Sequence, residues 1–125
     1  MTICYFTASG NCLYVARRLG GTLLSIPQLM RQKDIEIAEP ILRKDTALGY
    51  MVNDKCVRCG VCAKVCPANN ITVTETGVKF SDRCEVCYAC LHNCPQNAIH
   101  LTKEANTVRF RNEHITLADI IKANG

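Results

Sequence analysis

Residues 56–67 read CVRCGVCAKVCP, and residues 84–95 read CEVCYACLHNCP. Each segment spaces its cysteines at successive intervals of 3, 3 and 4 positions, ends on a proline, and lies 28 residues from its counterpart. The likeness continues past the prolines, where PANNITVT aligns with PQNAIHLT. An internal duplication of a loop, a short helix and a following strand is the simplest account of this pattern.

The cysteine spacing predicts two iron–sulfur clusters. Three thiols at intervals of three in a loop wrap one cubane, and a short helical turn that the proline ends carries the fourth thiol away. In two-cluster proteins of this kind the fourth thiolate ligates the other cluster. We therefore assign Cys56, Cys59, Cys62 and Cys94 to the first 4Fe-4S cluster, and Cys84, Cys87, Cys90 and Cys66 to the second.

Zinc and disulfides are the alternative uses of these cysteines. A tetrahedral zinc site needs two CxxC pairs with a spacer, and nothing in it requires a CxxCxxCxxxCP run twice. The opening MTICYFTASGNC has neither the basic region nor the apolar run of a signal peptide, and no stretch of the sequence suits a membrane span. We therefore expect reduced thiols in a cytoplasmic protein.

Charge excludes one class of partner. Fifteen Lys and Arg residues against eleven Asp and Glu residues give a net charge of +4. The basic residues are spread along the chain and form no stripe, so nucleic-acid binding is not expected.

The strands around the two motifs add a family resemblance. NITVTETGVKFSD (70–82) alternates apolar and polar residues and predicts a hairpin, and AIHLTKEANTVRF (98–110) predicts a looser one. With both cysteine motifs, residues 54–102 resemble a bacterial-type two-cluster ferredoxin domain. The resemblance implies one-electron transfer between redox partner proteins, with no catalytic residue.

The N-terminal part predicts a strand, a loop and a helix. TICYF (2–6) is a compact apolar strand, residues 13–19 give a helix that ends at Gly20, and TLLSI (22–26) is a second strand. Between the first strand and the helix lies TASGNC (7–12), whose hydroxyls and amides suit a phosphate group.

This part resembles the first strand, FMN-phosphate loop and first helix of flavodoxin-like domains, whose loop reads Ser/Thr-x-Thr-Gly-Asn-Thr. The matching residues, candidates for binding an FMN phosphate, are Thr7, Ser9, Gly10 and Asn11. Cys12 departs from the pattern because a thiol replaces a hydroxyl. DTALGYMV (45–52) resembles the third strand of that family, which implies a partial βαβ unit of three parallel strands in the order 2-1-3.

The whole chain resembles proteins that join a flavodoxin-like domain to a two-cluster ferredoxin, without the last two strands and both flavin-facing loops. We predict an α+β fold with a pseudo-twofold ferredoxin-like domain over 53–102, a truncated flavodoxin-like segment over 1–52, and a strand-and-helix tail over 103–125. Tight FMN binding is not expected, because no residues remain to enclose the ring. One face of the N-terminal sheet is left for the ferredoxin half, or for a second copy of the chain in a homo-oligomer.

Three functions stay open on the sequence. The first is an electron carrier with two 4Fe-4S clusters. The second is an FMN-dependent iron–sulfur oxidoreductase, and the third is a ferredoxin whose N-terminal segment serves only for docking or oligomerisation.

Smaller features give local predictions. Cys4 is expected in the core, because it lies inside the first strand. A final helix is expected after Thr116, its N-cap, with Asp119 in its first turn. Arg109 and Arg111 are expected either in solvent or in a docking patch.

Overall fold

The computed structural model describes residues 1–32 and 49–125. The elements of these ranges are, in chain order, β1 (Thr2–Tyr5), α1 (Asn11–Leu19), β2 (Thr22–Ser25), α2 (Ile26–Met30), β3 (Tyr50–Val52), α3 (Val61–Val65), β4 (Ile71–Thr74), β5 (Gly77–Phe80), α4 (Ala89–Asn93), β6 (Ile99–Leu101) and α5 (Leu117–Asn124). No helix of the described ranges is long and apolar enough to cross a membrane.

Residues 1–32, called the N-terminal unit below, contain the strand, helix and strand that the sequence predicted. β1 and β2 pair in parallel, from Thr2 opposite Thr22 to Tyr5 opposite Ser25. The helix α1 connects the two strands in the chain. It ends at Gly20, which has a φ of 73°, a conformation that residues with a side chain disfavour. Cys4 is exposed on this sheet, so its predicted place in the core is wrong.

Strand β3 does not join the parallel sheet. It pairs antiparallel with β6, from Tyr50 opposite Leu101 to Val52 opposite Ile99. The predicted parallel order 2-1-3 is therefore wrong for residues 50–52, while residues 45–48 of the predicted strand lie outside the described residues. The pairing brings Tyr50 and Val52 of β3 against the core around the cysteine motifs, which favours it over an edge position on β1.

The two predicted hairpins fare differently. β4 and β5 form the first, with Ile71 opposite Phe80 and Thr74 opposite Gly77. The looser hairpin over 98–110 is wrong, because β6 pairs with β3 and no strand follows it within residues 103–110. The second copy of the repeat thus finds its strand partner before the first cysteine motif rather than after its own.

The duplication extends to the backbone of the two cysteine motifs. Three pairs of residues offset by 28 positions share a positive φ: Arg58 and Val86, Gly60 and Tyr88, and Asn69 and Asn97. Gly60 and Tyr88 are the N-caps of α3 and α4, so both short helices begin from the same left-handed turn. Tyr88 holds this turn without the freedom that glycine has at the matching position.

A shared core joins the N-terminal unit to the cysteine helices. Its buried members come from α1, α3, α4 and the C-terminal segment, and they are Leu13, Val65, Ala89, Ile115, Ile120 and Ala123. Tyr5 of β1 packs against the same cluster. One face of the N-terminal unit is therefore covered by the cysteine-rich half of the chain.

Helix α5 fastens this arrangement. Thr116 is its N-cap, as predicted, and forms a capping box with Asp119. The Arg17 guanidinium of α1 lies 2.6 Å from the Asp119 carboxylate and holds the pKa of that carboxyl well below its usual range. Asn124, fully buried, donates to the carbonyl oxygens of Thr7 at 3.0 Å and Val65 at 2.9 Å. The last helical turn thus links the N-terminal loop to α3.

Candidate metal centres

One cleft, called the first site, lies between the two cysteine motifs. Three cysteines of the first motif and one of the second line it, and they are Cys56, Cys59, Cys62 and Cys94. Its remaining wall is largely apolar and includes Val73, Val78 and Ile99. The structure therefore brings together the four cysteines assigned to the first cluster.

A second cleft, called the second site, also lies between the two cysteine motifs. It is lined by Cys66, Cys84, Cys87 and Cys90. Aromatic side chains contribute more of this wall, because Tyr50, Phe80 and Tyr88 all face it. The other four assigned cysteines thus lie around this separate cleft.

The short helices explain why the motifs cross. α3 carries Cys62 at its second position and is followed by Cys66 at its C-cap, and these two thiols line different clefts. α4 does the same with Cys90 and Cys94. In both helices the residue that follows the C-cap is a proline, which cannot continue the helix. Each helix therefore supplies one cysteine to each site.

Backbone amides donate to the sulfur atoms at matching places. The amide of Asn70 lies 3.3 Å from Cys66 Sγ, and the amide of Ala98 lies 3.3 Å from Cys94 Sγ. Val86 donates in the same way to Cys84 Sγ at 3.4 Å. Such donors favour the thiolate form of a ligand cysteine.

Burial has the opposite effect on several thiols. Burial, together with a smaller effect of neighbouring cysteines, raises the pKa of Cys62 and of Cys87 to about 11, and that of Cys90 to about 12. Buried thiols that lie beside one another ionise more readily next to compensating positive charge, which bound iron supplies. The donor sets therefore fit a thiolate-ligated cluster. Within the described residues, no group of three or more His, Cys, Asp or Glu side chains is arranged to hold a single metal ion.

The two sites differ in exposure. Cys59 of the first site is exposed, and its neighbour Val57 keeps 62% of its surface in solvent. The four cysteines of the second site are all buried or half-buried. Tyr50 stacks on Phe80 beside them, with ring centroids 4.7 Å apart and planes 7° apart. The second site is thus the better shielded from water.

The predicted phosphate loop lies against the C-terminal segment. The Asn112 amide donates to the Ser9 carbonyl at 2.8 Å, and the Asn112 side chain donates to the Asn11 side chain at 3.0 Å. Thr7 is buried, and its hydroxyl accepts from the Gly10 amide at 3.1 Å. The loop residues predicted to bind a phosphate therefore hold one another and the segment that precedes α5.

Two further contacts fix the same loop. The Asn93 side chain of α4 donates to the Ala8 carbonyl at 2.9 Å, and a Cβ atom built on Gly10 would lie 2.9 Å from Ile115 Cβ. The roles of Asn93 and Asn124 were not predicted from the sequence, because a buried asparagine that donates to a distant carbonyl produces no local sequence pattern.

Arg109 is neither solvated nor part of a docking patch. Its side chain is 8% exposed, and it pairs with Glu104 at 2.5 Å and donates to the Ile99 carbonyl at 2.9 Å. Hydrogen bonds from Arg109 and from the Leu101 amide lower the pKa of Glu104 to about 2. This pair braces β6, whose Ile99 lines the first site.

Comparison with known proteins agrees with the chemistry of the cysteines. A family model described as a 4Fe-4S binding domain matches residues 50–72, which cover β3, the first motif and the start of β4. No curated protein and no solved structure matches the chain. The match supports 4Fe-4S binding and iron–sulfur electron transfer by a ferredoxin-type domain in this part of the chain.

Proposed function

We propose that the protein is a one-electron carrier that holds two 4Fe-4S clusters, one in each cleft. The observation that carries the proposal is the grouping of the thiols: each cleft is lined by three cysteines of one motif and the fourth of the other. The ligands are those assigned from the spacing, with Cys94 completing the first set and Cys66 completing the second. This crossing is the arrangement expected when both clusters share the helices α3 and α4.

When bound, each cluster accepts and releases one electron. The protein's own part is to hold the thiolates and to exclude water from them. Apolar side chains from β4, β5 and β6 wall the first site, and aromatic side chains wall the second. Backbone amides donate to Cys66, Cys84 and Cys94, which tunes how readily an electron is accepted. The function requires redox partner proteins on both sides of the transfer.

We also propose that the N-terminal unit supports the cysteine helices rather than binding a flavin. Its loop carbonyls accept from Asn93 of α4 and from Asn124, which also bonds to α3. The FMN-dependent alternative gains no support from this loop, since the buried Gly10 amide, a donor that a phosphate would need, donates to the Thr7 hydroxyl instead.

Iron, sulfide and flavin content per chain, measured on protein purified without oxygen, tests both proposals. We expect about eight iron and about eight sulfide, because two cubanes contain four of each. No flavin is expected. About four iron per chain would contradict the two-cluster proposal. About one FMN per chain would favour the FMN-dependent oxidoreductase instead.

A further inference from the structure

Tyr50 and Val78 occupy matching positions in the two copies of the repeat. Each lies 6 residues before the first cysteine of its own motif, Cys56 for Tyr50 and Cys84 for Val78. Tyr50 nevertheless lines the second site, and Val78 lines the first. The strand residue therefore crosses to the opposite site as the fourth cysteine does. At this place the second site has a phenol where the first has an isopropyl group.

The phenol reaches a sulfur atom. The Tyr50 hydroxyl oxygen lies 3.6 Å from Cys84 Sγ, within hydrogen-bonding distance for sulfur. A ligand thiolate can only accept, so the hydroxyl donates. Within the described residues, every other hydrogen bond to a cysteine sulfur comes from a backbone amide.

The ring of Tyr50 is held in place from two directions. It stacks on Phe80, and its backbone lies in β3, paired with Leu101 of β6. The hydroxyl is thus aimed at Cys84 by elements that belong to the fold rather than by a mobile side chain. This is the arrangement by which residues around a metal site tune its electronic properties.

Resting on the proposed two-cluster function, we propose that Tyr50 is a positioning residue that raises the reduction potential of the second cluster. Reduction adds a negative charge to the cluster and its thiolates, and a donor to Cys84 Sγ stabilises that charge. Val78 offers no such donor to the first cluster. The hydroxyl therefore acts on one cluster and makes the two halves of the duplicated domain inequivalent.

The test is a redox titration of the Tyr50→Phe variant against the unmodified protein, with dithionite as reductant. Each cluster is followed by the paramagnetically shifted NMR signals of its cysteine β-protons. Tyr50→Phe keeps the ring and removes the hydroxyl. We expect the reduction equilibrium constant of the second cluster to fall about tenfold, a shift of about 59 mV to lower potential. The reduction potential of the first cluster should not change.

Tyr88→Phe is the matched control. Tyr88 lines the same cleft, but within the described residues its hydroxyl makes no hydrogen bond to a cysteine sulfur. Its removal should leave both potentials unchanged. Equal shifts of both clusters in Tyr50→Phe, or no shift in either, would overturn the proposal, as would the same shift in Tyr88→Phe.

A second measurement tests the proposal if the Tyr50→Phe variant assembles its clusters poorly. Replacing all tyrosines by 3-fluorotyrosine keeps every ring and makes the phenol a stronger donor. The potential of the second cluster should then rise, and its failure to do so would also overturn the proposal. Iron and sulfide content distinguishes failure of the two-cluster proposal from failure of the Tyr50 proposal. About eight of each with unchanged potentials would reject the role of Tyr50 and leave the two-cluster proposal standing.

Discussion

The two cysteine sites have the same motif and different surroundings. The first contains an exposed ligand, Cys59, and an apolar wall that includes Val78. The second has no exposed cysteine, and the Tyr50 hydroxyl makes a hydrogen bond with one of its sulfur atoms. Motif spacing thus determines which thiols group together. The strand residues that line the opposite site contribute to the solvent exposure and the polarity of that site.

The largest expected effect comes from a contact that serves both sites equally. Asn124→Ala leaves the buried carbonyls of Thr7 and Val65 without a donor. We expect a loss of about 2–4 kcal/mol of unfolding free energy. Because α3 supplies one cysteine to each site, both clusters should be released together during anaerobic urea unfolding. Asn106→Ala is the control, because it removes one exposed hydrogen bond, from the Val108 amide, and should cost less than about 1 kcal/mol. Earlier release of one cluster in Asn124→Ala would contradict this account.

A second shared support is the close contact between the N-terminal loop and the segment before α5. Gly10→Ala introduces a Cβ atom against Ile115 at a φ of 96°, and we expect a loss of about 1–3 kcal/mol. Gly60→Ala is the matched control, because Gly60 is also a left-handed N-cap, with a φ of 78°, and has no atom within 4 Å of the added Cβ. Tyr88 carries a Cβ atom at the matching position of the repeat. Equal losses in urea unfolding of the two variants would show that packing against Ile115 adds nothing.

A smaller effect should fall on the first site. The Glu104–Arg109 pair braces β6 beside that site, and hydrogen bonds from Arg109 and the Leu101 amide lower the pKa of Glu104 to about 2. A depressed carboxyl pKa contributes stability above the ordinary Glu pKa of about 4.3, and this contribution is lost as the pH falls toward 2. Glu104→Gln should therefore lower the urea midpoint at pH 7.5.

The difference between Glu104→Gln and the unmodified protein should narrow at pH 4, since the unmodified protein has then lost part of the contribution. The Glu113→Gln variant serves as a control, because Glu113 has an 86% exposed side chain. A difference between Glu104→Gln and the unmodified protein that stays constant between the two pH values would contradict the sign of the shift.

The smallest expected effect is kinetic. The exposed Cys59 predicts that the first cluster is lost to oxygen faster than the second, by about two- to threefold. Decay of the separate cysteine β-proton signals after a measured addition of oxygen gives both rates. Equal rates would mean that the exposure of Cys59 does not control access, and faster loss of the second cluster would reverse the comparison.

Local sequence signals account for the parts of the fold that depend on neighbouring residues. The hairpin of β4 and β5 followed from alternation, the α5 cap from Thr116 and Asp119, and the grouping of thiols from their spacing. In each case the residues that determine the structure lie within a few positions, or the metal chemistry itself relates the two motifs.

Predictions failed where distant partners decide the outcome. β3 was expected beside β1, but it pairs with residues 99–101, where Tyr50 and Val52 pack against the core. The loop TASGNC has the local pattern of a phosphate site, yet its environment is set by Asn112 and Asn124, more than a hundred positions away. A short loop pattern specifies its own backbone and not what packs on it.

The most direct test of the crossed two-cluster account is the β-proton NMR spectrum of the Cys94→Ala variant, purified without oxygen. Cys94 belongs to the second motif but lines the first site. The account predicts that the signals of Cys56, Cys59 and Cys62 are lost or altered, while those of Cys84, Cys87 and Cys90 persist. Loss of the second set with the first intact would show that each motif binds its own cluster, and would contradict the account.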